Sequence, residues 1–230
     1  LYDYANTVLS EYDKLKKEID MIRASEEGTV ELLVAYDILR YLTPDCILEF
    51  QKKYPNVTFS YMEYPDRIVE KMLLDKEGNV ALSIGPFAGD CFDMKSLKKC
   101  SLGLLVYEEH SLAKKREATI LDLEGEPLYL ENSSFKLNEF IQSRCWNRGF
   151  EPDIVFETNG FDLCYKMCRL KRGLSVTIDF VHEDMNTEGL VMIPFAEDDM
   201  IWEIGLLTLK DRAMESSVEK FYKYIENYNN

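Results

Sequence analysis

The sequence predicts an α/β protein of two similar units, preceded by one amphipathic helix. Between Gly28 and Pro65 the chain reads as a complete strand–helix–strand unit, and from Pro127 to Ile178 the same order of elements returns. Ahead of Gly28, apolar residues recur at helical spacing. Alternating strand and helix patterns of this kind build parallel sheets with helices on their faces.

Residues 1–23 place Leu1, Ala5, Val8, Tyr12, Leu15, Ile19 and Ile22 in alternating steps of four and three, with charged residues in most gaps. This spacing fits a heptad seam pairing two copies of the chain, or an amphipathic helix packed on its own domain. Ala24 to Gly28 ends it. Thr29 to Tyr36 is a β-branched, apolar run, as expected of a buried parallel strand. Ile38 to Tyr54 follows as a helix with Leu39, Leu42, Cys46, Ile47, Phe50 and Tyr54 on one stripe. Pro55-Asn56 stops it, and Val57 to Glu63 returns as a strand.

Asp66 to Asp75 presents Ile68, Val69, Met72 and Leu73 on one helical face. Asn79 to Ile84 is a third strand, closed by Gly85-Pro86. A strand within Lys95 to Tyr107 (LGLLVY) precedes the charged stretch Glu108 to Glu117, where the chain is expected to pass between domains. The second unit then has strands at Pro127 to Leu130, Ile154 to Phe156 and Leu174 to Ile178. Its helices are Phe135 to Arg148, with Leu137, Phe140, Ile141 and Cys145 inward, and Phe161 to Leu170. Ile201 to Leu209 is a last strand, and Met214, Val218, Phe221, Tyr222 and Ile225 mark a C-terminal amphipathic helix.

With 27 basic against 42 acidic residues, the formal charge of −15 argues against direct contact with nucleic acid. No run is long and apolar enough for a membrane span, and the first residues lack the order of a secretory signal, so a cytoplasmic protein without membrane attachment is expected. Cys46, Cys91, Cys100, Cys145, Cys164 and Cys168 lack paired metal-ligand spacing and read as small buried hydrophobes in a reducing compartment. No phosphate-binding, dinucleotide, nucleophile-elbow or zinc-protease motif occurs, so neither catalysis nor a metal or other cofactor is expected.

Gly28, Leu42-Thr43-Pro44, Phe50 and Tyr54-Pro55, then His110-Ser111-Leu112-Ala113, Asp122-Leu123 and Glu126-Pro127-Leu128 stand in a recognisable order. Cys145, Gly149-Phe150, Pro152 and Gly173-Leu174-Ser175-Val176 continue it. In this order the chain resembles the effector-sensing part of LysR-type transcriptional regulators. The resemblance implies two Rossmann-like subdomains of the type 2 periplasmic-binding-protein fold. It divides the chain into a linker and dimerisation helix (1–27), a first subdomain (28–107 with 203–230) and a second (108–202), with crossings near Tyr107 to Ser111 and Phe195 to Trp202. It implies a small-molecule effector, a homodimer or homotetramer, and DNA contact only through a winged helix-turn-helix ahead of Leu1. A stand-alone solute receptor of the same fold is the alternative. Peroxide-sensing relatives carry two cysteines on one helix, and here only Cys145 has a counterpart.

In parallel sheets, ligands gather beyond the carboxyl ends of strands. That rule selects Tyr36 and Asp37, Tyr64 and Pro65, Gly85 and Pro86, Asn132, Ser133 and Ser134, Asn159, Gly160 and Phe161, and Thr177 as candidate ligand-binding residues. Asn132-Ser133-Ser134 reads equally well as a helix cap. Helix N-termini at Ser133-Ser134 and Gly160-Phe161 favour an anion, whereas Asp37 stands where the family often has a hydroxyl. A small polar molecule with both charges, such as an amino acid, would suit both walls.

Overall fold

The computed structural model describes residues 8, 9, 11, 12, 14, 15, 28–87 and 89–228. Of the seam positions, Val8, Tyr12 and Leu15 are helical and exposed, whereas Leu1, Ala5, Ile19 and Ile22 lie outside the described residues. The first unit runs β1 (Gly28–Ala35), α1 (Ile38–Leu42), α2 (Asp45–Lys53), β2 (Val57–Tyr64), α3 (Asp66–Leu74) and β3 (Val80–Ile84). A long strand, β4 (Phe92–Tyr107), follows. The second unit is β5 (Pro127–Glu131), α4 (Lys136–Asn147), β6 (Asp153–Thr158), α5 (Phe161–Arg169), β7 (Leu174–Ile178), α6 (Asp179–Asp184) and β8 (Leu190–Pro194). Strand β9 (Ile201–Leu209) and helix α7 (Ser216–Tyr228) close the chain.

Two sheets share β4. In the first, β2, β1 and β3 run parallel in that order, β9 pairs antiparallel with β3, and β4 with β9. In the second, β6, β5 and β7 repeat the arrangement, and β4 pairs antiparallel with both β7 and β8. β4 leaves the first sheet at Ser101 and enters the second at Leu102, so the sheets change partners inside one continuous strand rather than in the loop after Tyr107.

The continuous apolar runs of β1, β3 and β7 are buried on both faces, and Val30, Leu32, Leu33, Val80, Leu82 and Leu174 are inaccessible. Helix α7 returns to the first sheet: Phe221 meets Phe50 edge-on at 5.0 Å, and the Ser217 hydroxyl donates to the Thr29 carbonyl at 3.0 Å. Gly149, at φ 91°, follows α4 in the left-handed region that glycine enters freely.

Four expectations are corrected. The stretch Ile38 to Tyr54 is two helices: Thr43 sits at φ 56°, ψ 145°, because Pro44 bars the residue before it from helical geometry while the apolar stripe continues across the break. β4 begins at Phe92, well before the apolar LGLLVY segment. Helix α6 and strand β8 are additional, too short to leave a periodic signal. Met214 lies outside α7 and is exposed.

Candidate functional site

The carboxyl ends of four strands meet at one small cavity of about 20 Å³. From the first sheet come Ala35 ending β1, Tyr36 after it and Ile84 ending β3, with Asp37 leading into α1 and Asp66 starting α3. From the second come Glu131 ending β5 and Ile178 ending β7, with Phe135 and Phe161 at the starts of α4 and α5. Trp202, on β9, and Phe180 complete the wall. Tyr36 and Asp37 also line an outer cleft of about 520 Å³, whose opposite side carries Asn159, Gly160, Asp162 and Asp184. The cavity and the outer cleft are therefore neighbours, and both lie between the sheets.

The charges around them are mostly committed. Asp37 takes a left-handed conformation (φ 68°), which aspartate tolerates better than most residues, and its carboxylate accepts from Arg40 Nε at 2.5 Å. The same guanidinium reaches Asp184 Oδ2 at 2.6 Å and Asp162 at 3.6 Å, bridging α1 to α6 and α5. Burial nevertheless keeps the Asp37 carboxyl above its ordinary pKa, with Arg40 working in the opposite direction. Lys136 pairs with Glu70 and donates to the Ile84 carbonyl at 2.7 Å, joining α4 to α3 and β3. Asp66 accepts from the backbone N–H of Lys136 at 3.0 Å and of Arg67 at 2.6 Å, and burial lifts its carboxyl to about 6 against the pull of Lys136.

Two polar atoms of the cavity wall stand apart. Glu131 Oε1 and Trp202 Nε1 are buried and have no hydrogen-bond partner among the described residues. Burial, reinforced by Asp37 and Asp66, raises the Glu131 carboxyl well above the usual range.

The predicted site residues divide into groups. Tyr36, Asp37 and Phe161 line the cavity; Asn159 and Gly160 line the outer cleft. Tyr64 and Pro65 precede Asp66, which lines the cavity in their place, and Tyr64 accepts the Tyr36 N–H at its carbonyl. Gly85 and Pro86 face a separate hollow beside Phe87, Phe140 and Arg144, on the far side of Trp202. Thr177 is fully buried, its hydroxyl 2.9 Å from that of Tyr165.

Asn132-Ser133-Ser134 does not cap α4. Asn132 accepts from the Ser134 N–H at 2.8 Å and donates to Asn159 at 2.7 Å, Ser133 is exposed, and the first helical N–H is met by Asp66 across the interface instead. Sequence reasoning missed Arg40, Asp66, Glu131 and Trp202. The one available signal was an acidic residue directly after the apolar strand Pro127 to Leu130.

The model of the LysR substrate binding domain matches residues 23–229. The chain belongs to this family. As a LysR-family domain it is similar to the uncharacterized HTH-type transcriptional regulator YwbI of Bacillus subtilis, with 25% identity over 80% of this chain and 62% of that protein. It also resembles the transcriptional dual regulator GltC of the same organism, with 23% identity over 96% of this chain and 74% of that protein. The chain thus spans less than two thirds of YwbI and about three quarters of GltC. Among solved structures, the regulatory domain of Synechocystis PCC6803 CcmR in complex with 2-PG superposes with a TM-score of 0.78 at 15% identity, covering 89% of this chain and 98% of that one. At that identity the likeness shows the fold, which is the type 2 periplasmic-binding-protein fold of LysR effector-binding domains. No helix among the described residues is long and apolar enough to cross a membrane.

Proposed function

We propose that this LysR-family domain senses a small polar molecule in the cleft between two subdomains, one built on each sheet. It passes the resulting change through a paired helix at 1–27 to a winged helix-turn-helix that lies outside this sequence. It is a binding module rather than an enzyme. The observation that carries the reading is the meeting of strand ends from both sheets at one cavity, where helices α1, α3, α4 and α5 also begin. A ligand there touches both subdomains at once, so its affinity depends on their spacing, and by linkage its binding shifts that spacing.

The test is calorimetry against a metabolite panel, using wild type and Gly160→Trp. Gly160 has φ 170°, an extended conformation open to any residue, and a Cβ added there meets nothing within 4 Å. The indole should fill the outer cleft without lowering the melting temperature, and it should abolish binding of the true effector. An effector that binds Gly160→Trp as tightly as wild type would remove the cleft from consideration.

A further inference from the structure

We propose that the inner cavity receives the cationic group of an amine or amino acid effector, with Glu131 as its counter-ion. This deepens the cleft-sensing reading and rests on it. Glu131 is 4% exposed and lines the cavity, with its Oε1 unpartnered among the described residues. Burying a carboxyl without a partner is costly, so an isolated one in a cavity marks a place where a partner is missing.

The neighbouring charges decide the sign of that partner. Asp37, just ahead of α1, and Asp66, at the start of α3, are the charged groups that act on Glu131, and the Cys164 thiol of α5 lies near it; the cations on the neighbouring elements are Arg40 on α1 and Lys136 on α4. Both cations are engaged, Arg40 with Asp37 and Asp184, Lys136 with Glu70 and the Ile84 carbonyl. An incoming anion would find them already occupied and would meet Asp37, Asp66 and Glu131 at close range. An ammonium group would find an open carboxyl that can give up its proton to become the counter-ion, walled by the rings of Tyr36, Phe135, Phe161 and Phe180, which suit a cation on their faces.

Size agrees with charge. A space of about 20 Å³ holds roughly one water molecule, hence one ammonium head. The rest of the ligand would extend past Tyr36 and Asp37 into the outer cleft. The buried Trp202 N–H, also without a partner among the described residues, offers a donor to an oxygen of the same ligand. Binding would be coupled to a proton: burial favours the neutral acid of Glu131, and the arriving cation favours the carboxylate. The released proton passes to the buffer.

The decisive experiment is calorimetry of the whole chain and of its Glu131→Gln and Gly160→Trp variants. The probes are one panel of primary amines and amino acids, matched chain for chain with carboxylates and alcohols, in two buffers of different ionisation enthalpy. Amines or amino acids should bind wild type and release protons, and Glu131→Gln should bind them at least about thirtyfold more weakly without proton release, since a buried charge pair has lost one partner. Gly160→Trp should bind nothing. Hits among carboxylates or alcohols that Gly160→Trp loses but Glu131→Gln keeps would overturn the cation assignment while leaving the cleft reading in place. Amines that bind wild type and Glu131→Gln equally would overturn it too. Binding insensitive to both variants, or no binding by any class, would end both readings. Gln is isosteric with Glu, and melting temperatures measured in parallel show that the variant remains folded.

Discussion

Lys136 reaches across from α4 to Glu70 on α3, and both side chains are less than 10% exposed. Replacing Lys136 by Met keeps the bulk of the stem but leaves the Glu70 carboxylate buried with, among the described residues, only the Ser83 hydroxyl, at 3.2 Å, to support it. The Ile84 carbonyl loses its donor in the same step. Removing one partner of a buried ion pair costs about 3–5 kcal/mol, far more than the pair itself contributes relative to apolar residues. At roughly 2–4 °C per kcal/mol for a domain of this size, the melting temperature should fall by about 6–20 °C. Thermal and urea denaturation followed by circular dichroism measures it. The double variant Lys136→Met, Glu70→Leu should recover most of the loss, because neither member then remains as an isolated buried charge. A single variant within about 1 kcal/mol of wild type, or a double variant no better than the single, would refute the reasoning.

Other outcomes are expected from the same geometry. Burial raises the folded-state pKa of Glu131, so the folded chain binds that proton more tightly than the unfolded one, and this contribution to stability is lost as pH rises through the folded pKa. Glu131→Gln should therefore be more stable than wild type at pH 7 to 8, with the difference closing toward about pH 4, near the ordinary carboxyl pKa; parallel melting curves with a gap independent of pH would contradict this. Arg40→Met should loosen α1 from α6, read as faster amide hydrogen exchange across Asp179–Asp184, at a cost of about 1–2 kcal/mol. Unchanged exchange would mean that the bridge holds nothing. Of the six cysteines only Cys91 is exposed, and burial pushes the Cys46, Cys145 and Cys164 thiols up to about 11, so a thiol reagent should label Cys91 alone in the native chain, as counted by intact mass. Sedimentation at micromolar concentration should give a dimer or larger species that deletion of residues 1–27 weakens, because Val8, Tyr12 and Leu15 expose apolar surface; a monomer in both cases would rule out the seam.

Elements buried on both faces were the readable ones. β1, β3 and β7 announce themselves as short apolar runs between turn residues, and β7 has the predicted limits. The first half of β4 (FDMKSLKK) did not, because much of it remains accessible and its polar side chains hide a strand that exists through pairing with β9. Helix α6 (DFVHED) has only two apolar residues, Phe180 and Val181, both buried and too few to make a stripe. At the candidate site, Tyr36, Asp37 and Phe161 followed from the rule about strand ends. Arg40, Asp66 and Trp202 did not, since each acquires its position from an element far along the chain. Asp66 is the plainest case: locally it begins α3, but its carboxylate caps a helix of the other sheet.

The strand order of the first sheet has a consequence for how the chain is made. β9, which separates β3 from β4, lies near the end of the sequence, and α7, which covers Phe50 and β1, is the last described element. A nascent chain that has not yet reached Ile201 holds β3 and β4 as two open edges with nothing between them, and open edges invite pairing with other chains. The second sheet has no such wait: β4 to β8 emerge in one contiguous run. Synthesis should therefore deliver the later half of the sequence folded before the earlier half, and a ribosome stalled short of Ile201 should release an aggregating product rather than a smaller soluble one.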